Sequence, residues 1–242
     1  MQTAADVSRA GAPGGDAILV ATGVMKTYRT GAETVDALKG VDLRVEQGEF
    51  LAVMGPSGSG KTTLLNCLSG LDDIDAGQVV VGGHDIQAMS DAERTRHRAS
   101  SMGFIFQAFN LIPVFTATEN VELPLLLAGV DAKQARRAAQ DTLDLVGLGN
   151  RLNHRPTELS GGEQQRVTIA RALAGKPAIV WADEPTGNLD SETAHTVMGL
   201  LGNLHDEGLT LILVTHDDEI GHSAQRRIFV RDGVIVTDEQ LH

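Results

Sequence analysis

The 242 residues predict an α/β fold in which a parallel sheet is interrupted by a stretch of helices. Short apolar runs at 50–54, 178–182 and 209–215 have the length and unbroken hydrophobicity of strands buried on both faces. The stretch 192–205 between the last two reads as a helix, which makes a parallel βαβ unit. From about 108 to 159 helical patterning replaces strand patterning, and Ser90-x-x-Glu93 and Thr116-x-x-Glu119 match the capping box that satisfies free N–H groups at a helix start.

Taken in order, residues 1–16 are mostly Ala, Gly, Asp and Ser and read as a loose tail. From Ile18 the chain is strand-rich, with Val41, Leu43 and Val45 alternating with polar residues. The run 50–54 feeds a glycine-rich loop and then a helix over 63–69. Val79, Val80 and Val81 followed by Gly82-Gly83 read as a strand and a tight turn. Later, Leu143, Val146 and Leu148 follow an Ala/Arg-rich helix, and 228–236 around Asp232-Gly233 reads as a terminal hairpin.

Composition narrows the function. With 42% apolar residues the chain can bury a sizeable core. No run reaches the ~18–20 apolar residues that span a bilayer; the greasiest, 121–130, is broken by Glu122, Pro124 and Gly129. The first residues have neither a basic start nor an apolar centre, so no signal peptide is expected and the cytoplasm is the expected compartment. The single cysteine, Cys67, excludes an internal disulfide and reads as core filling, with a redox role as the other reading. A net charge of -12 repels phosphodiester backbones, which argues against nucleic acid as a partner. Arg94, Arg96, His97 and Arg98 cluster but interleave with Asp91 and Glu93, and read as a solvated helix face.

Gly55-Pro56-Ser57-Gly58-Ser59-Gly60-Lys61-Thr62 matches G-x-x-x-x-G-K-[ST], set between an apolar strand and a helix as the chemistry requires. Glycines let successive N–H groups point at phosphates, and the helix dipole adds to them. Lys61 is expected on the β- and γ-phosphates, with the Thr62 hydroxyl on Mg²⁺ and Thr63 beside it. The strand 178–182 runs into Asp183 and Glu184 at the carboxyl edge of the sheet. There Asp183 suits the Mg²⁺ shell and Glu184 could polarise the attacking water; two acids capping the next turn is the plainer alternative for either alone. His216 follows a buried strand at the same edge, where a donor to the γ-phosphate would stand; a structural role is the plainer alternative for a single His. Ser160-Gly161-Gly162-Glu163 has capping-box spacing, and two glycines in a first turn suit close approach of a phosphate.

The order of phosphate loop, Ser-Gly-Gly, acidic pair and lone His resembles the nucleotide-binding subunit of ATP-binding cassette (ABC) transporters, from about residue 18 to 236. The resemblance implies a P-loop NTPase, RecA-like core over 17–242 with an antiparallel β subdomain and an α-helical subdomain inserted at about 108–165. It implies a Mg²⁺-dependent ATPase using ATP, with Lys61, Gln107, Glu184 and His216 in catalysis and Thr62, Gln107 and Asp183 around the metal. Tyr28 is similar to the aromatic that stacks on adenine, with ordinary packing as the alternative, and Asp190 lies in a segment similar to the loop crossing the dimer interface. Ser160 to Glu163 would contact the nucleotide held by a second copy, so ATP joins two chains head to tail. The other partner implied is an integral membrane permease, which would hold the subunit at the inner face of the cell membrane.

Phe109-Asn110-Leu111-Ile112-Pro113 and the segment 182–191 are similar to the lipoprotein-releasing and macrolide-export group. Glu163 stands where Gln is common, and Trp181 is bulkier than the usual aliphatic residue. With about 26 residues after His216, no C-terminal regulatory domain is expected. A soluble ABC ATPase working without a permease is the alternative, although such chains usually carry two cassettes or a long coiled coil; a catalytically inactive ATP-binding module is a third reading.

Overall fold

A computed structural model describes residues 17–31 and 33–241, and the expected N-terminal tail lies outside the described residues. Two long strands, β1 (Ala17–Thr30) and β2 (Glu33–Glu46), lead into β3 (Phe50–Met54), helix α1 (Lys61–Leu68), and strands β4 (Ala76–Val81) and β5 (His84–Asp85). Helix α2 (Asp91–Ser101) and β6 (Met102–Phe106) precede helices α3 (Ala117–Leu127), α4 (Ala132–Leu145) and α5 (Gly161–Leu173). Strand β7 (Ile179–Asp183), α6 (Ser191–Asp206), β8 (Thr210–Val214), a short α7 (Asp218–Gly221) and the hairpin β9 (Arg226–Arg231) and β10 (Val234–Gln240) complete the chain. The chain is therefore mixed α/β, as expected.

The strands form two sheets, an antiparallel one in the order β2-β1-β4-β5 and a six-stranded one in the order β10-β9-β3-β8-β7-β6. Within the second, β6, β7, β8, β3 and β9 are parallel, and β10 closes the edge antiparallel to β9. The unbroken apolar runs are explained by burial on both faces. Phe50, Ala52, Val180, Ala182, Leu211 and Leu213 face one core with side chains from α3 to α6. Their alternates Leu51, Val53, Ile179, Trp181, Ile212 and Val214 face a second core shared with α1, β1, β2 and β4.

Trp181 is fully buried, although its indole N–H finds no hydrogen-bond partner among the described residues. Cys67 is a core residue whose thiol is pushed up to about 12, first by burial and then by the charge of Asp72. Both capping boxes form, at Ser90 before α2 and at Thr116 before α3. The turn at Asp232-Gly233 has both φ angles positive, at 51° and 81°, as a two-residue hairpin requires. The α2 arginines correct the sequence reading. Arg96 is exposed, but Arg94 pairs with Asp73, and Arg98 donates to the Gly70 carbonyl at 2.7 Å. Long side chains on one helix face reach the loop that leaves α1, which a pattern of alternating charges does not reveal.

Candidate functional site

Parallel register brings the site together. Phe106, Asp183, Val214 and Val53 lie level across β6, β7, β8 and β3. The next residues, Gln107, Glu184, Thr215-His216 and the loop from Gly55, therefore leave the sheet at one carboxyl edge, the place where α/β sheets bind ligands.

The glycine-rich loop is shaped by close approach. A Cβ on Gly55 (φ 144°) would lie 2.1 Å from the Val230 carbonyl oxygen, and one on Gly60 (φ 103°) 2.6 Å from that of Ala37. The terminal hairpin braces the loop, since Gly233 N–H donates to Ser59 O at 3.1 Å and Lys39 N–H donates to Gly233 O at 2.9 Å. Helix α1 starts at Lys61 rather than at 63, with Gly60 at its N-cap and no side-chain cap. Its first-turn N–H groups have no intrahelical acceptor and suit an anion. Lys61 is 8% exposed and folds back, donating to Gly55 O at 2.8 Å and Pro56 O at 3.0 Å. The Ser59 hydroxyl is buried without a partner among the described residues, an orphan that a phosphate oxygen would satisfy.

Thr62 Oγ1 donates to Asp183 Oδ1 at 3.2 Å, which sets two hard oxygen donors side by side. Burial first, and then the charge of Glu184, push the Asp183 carboxyl above its ordinary value. A divalent cation would reverse that balance, so the donor set fits Mg²⁺. Glu184 takes a left-handed backbone (φ 48°), with its N–H donating to Val214 O at 2.9 Å. Its carboxylate meets His216 Nδ1 at 2.7 Å and accepts from Thr215 Oγ1 at 3.4 Å. A carboxylate on Nδ1 favours the proton there, so Nε2 donates only when the ring is charged.

An open cleft of about 1170 Å³ runs along this edge, lined by Tyr28, the loop 56–63, Gln107, Glu184 and His216. Tyr28 is 38% exposed and donates its hydroxyl to Asp72 Oδ2 at 2.7 Å. Ser160 to Glu163 are not among the cleft-lining residues. They form the expected capping box at the start of α5, with Ser160 and Gly161 exposed. Gly162 has a reason within the chain, because a Cβ there would lie 2.4 Å from Thr193 Cγ2 on α6, whereas Gly161 has nothing nearer than 3.8 Å. The carboxyl of Glu163 is lowered to about 2, first by the Arg151 hydrogen bond and then by the Ser160 N–H. Asp190 caps α6, accepting from Thr193 N–H at 2.9 Å, and Asn188 beside it donates to Gln107 O at 2.8 Å.

Sequence reasoning missed three supports. Asp72 holds Tyr28, the 232–233 turn braces the phosphate loop, and buried Gln165 donates to the Pro185 carbonyl next to Glu184. Gln165 could have been found as a polar residue on the buried stripe of α5. Asp72 leaves no local signal, since its partner is 44 residues away.

A glycine-rich loop opening a helix, with an acid pair and a histidine at the same sheet edge, defines a P-loop nucleotide-binding domain. Residues 38–187 match the family described as ABC transporter. An uncharacterised ABC transporter ATP-binding protein of Methanocaldococcus jannaschii is 50% identical over 90% of this chain and 98% of its own length. The macrolide export ATP-binding/permease protein of Bdellovibrio bacteriovorus is 47% identical over 90% of this chain, which spans 33% of that larger protein. Among solved structures, an ATP-binding cassette in a dimeric post-hydrolysis state bound to ADP and Pi superimposes with a TM-score of 0.85 at 43% identity, covering 93% of this chain and 99% of the other. The chain belongs to the ABC transporter family, as an ATP-binding ATPase subunit.

Proposed function

We propose that two copies of this chain close head to tail on ATP, hydrolyse it with Mg²⁺, and so drive a membrane permease of the lipoprotein-releasing or macrolide-export kind. The observation that carries the reading is the division of the motifs. Lys61, Thr62, Gln107, Glu184 and His216 line or adjoin one cleft, whereas exposed Ser160 and Gly161 stand outside it at a helix N-terminus. A helix start with an exposed glycine suits phosphate, and a second copy would supply it. The dimeric relative bound to ADP and Pi supports that arrangement, and the macrolide-export relatives support a permease partner.

In this reading the loop 55–63 cradles the phosphates and Lys61 exchanges its two carbonyl partners for phosphate oxygens. Thr62, Asp183 and Gln107 would hold Mg²⁺, which supplies charge neutralisation on the phosphates. Glu184 takes the proton of the attacking water, and His216 orients the Glu184 carboxylate and faces the terminal phosphate. Asp190 and its neighbours would lie at the junction of the two copies. Residues 108–165 would act as a helical subdomain bearing on the permease at the cytoplasmic face of the membrane. No helix among the described residues is long and apolar enough to cross a membrane. Nucleic acid has no part in this reading, given the net charge of -12.

Mixing two defective variants tests the composite site. Lys61→Ala disables the phosphate loop and Ser160→Arg the second half-site, and each alone is expected to have almost no ATPase activity. A mixed dimer places both defects in one site and leaves the other intact, so the mixture regains activity. Ser160 also caps α5, at about 1 kcal/mol, so circular dichroism confirms that the variant is folded. Ser160→Arg turning over at the wild-type rate at saturating protein and ATP would refute the composite site.

A further inference from the structure

The phosphate loop accounts for the charged end of a nucleotide, and the base end depends on residues outside it. We propose that Asp72 is a positioning residue that holds the Tyr28 ring in the attitude in which it receives the base. The inference rests on the reading of Tyr28 as the base platform.

Asp72 accepts from two residues of β1 at once, from the Tyr28 hydroxyl at 2.7 Å and from Lys26 Nζ at 2.8 Å. Lys26 is 8% exposed, reaches the Asp73 carbonyl at 2.6 Å, and places Nζ 5.1 Å from the Tyr28 ring centroid. The ring is thus held at its hydroxyl by an anion and over its π-system by a cation. The same lysine neutralises the Asp72 charge, so the carboxylate does not repel an incoming triphosphate. Asp72 is itself anchored, its N–H donating to Asn66 O in α1 at 3.1 Å. Helix α1 therefore begins in the phosphate loop and, through Asn66, also holds the acceptor that fixes the platform. A ring fixed in advance loses less freedom on binding than one sampling its rotamers at the rim of a cleft.

Equilibrium binding of ATP and of inorganic tripolyphosphate, on variants shown to be folded, tests this. Asp72→Ala and Tyr28→Phe are each expected to weaken ATP by about 2- to 10-fold, the value of one immobilised side chain. The double variant should be no weaker than either, because both remove the same constraint. Tyr28→Ala, which removes the stacking face, should lose about 5- to 150-fold. Tripolyphosphate, which has no base, should bind all four variants as it binds the parent. Tyr28→Phe keeps the Lys26–Asp72 pair and so keeps the test open if Asp72→Ala does not fold. Losses that multiply in the double variant, or an equal loss of tripolyphosphate, would overturn the inference. So would parental ATP binding by Asp72→Ala, or by Tyr28→Phe, beside a weakened Tyr28→Ala. Unchanged ATP binding in Tyr28→Ala removes the platform reading itself, and the inference with it.

Discussion

Replacing Glu163 with Gln isolates one charge at the start of α5. Gln keeps an oxygen for the Ser160 N–H, as in the capping box, but loses the ion pair in which Arg151 Nε stands 2.9 Å from Glu163 Oε1. The Glu163 carboxyl is lowered from 4.5 to about 2, principally by that arginine. At 1.36 kcal/mol per pH unit this corresponds to roughly 3 kcal/mol. Arg151 is 38% exposed, so solvent screens the pair and about 1–2 kcal/mol is the expected loss in Glu163→Gln at neutral pH. The sign follows from linkage. A carboxylate titrating lower in the folded state contributes fully above its unfolded value near 4.5 and loses that contribution as pH falls toward about 2. Urea titrations followed by circular dichroism should therefore show the parent more stable at pH 7, with the gap falling below half by about pH 3. Coincident curves at pH 7 would refute the argument, as would a gap unchanged on acidification.

Glu184→Gln should retain ATP binding while hydrolysis falls by about 10²–10⁴-fold, and size-exclusion chromatography in ATP should show an accumulated dimer; turnover at the parental rate would remove Glu184 as the base. Gly162→Ala should lower stability by about 1–3 kcal/mol through its clash with Thr193 Cγ2, despite the better helix propensity of Ala. Thr193→Ser removes that methyl and should restore most of the melting temperature in the double variant; a Gly162→Ala protein as stable as the parent would show that α6 yields freely.

The parts of the site legible in the sequence are those built from contiguous residues. The loop 55–62, the acids at 183–184 and His216 each sit directly after an apolar run, and a parallel sheet buried on both faces carries all such ends to one edge. The less legible parts depend on distant pairings. Arg94 and Arg98 look solvated among Asp91 and Glu93, yet they reach Asp73 and Gly70, more than twenty residues back. The Gly161-Gly162 pair reads as one feature, but only the second glycine is dictated by a neighbour, Thr193, which is far away in the chain. Periodicity and capping report on a residue's own element and say little of what docks against it.

The separation between the cleft and Ser160 is bridged by α5. Ser160 rides at the start of α5, and α5 has polar tethers to two of the segments that carry cleft residues. Gln165, fully buried, donates to the Pro185 carbonyl beside Glu184 and takes a hydrogen bond from Thr168 Oγ1 at 3.1 Å. Arg171 donates to the Asn110 carbonyl at 2.7 Å and to the Phe109 carbonyl at 3.1 Å, just beyond Gln107. A buried polar group left unsatisfied costs about 1–3 kcal/mol, so sliding α5 away from the Pro185 segment is opposed by more than apolar packing. Ser160 is thereby linked through α5 to the residues next to Glu184 and Gln107.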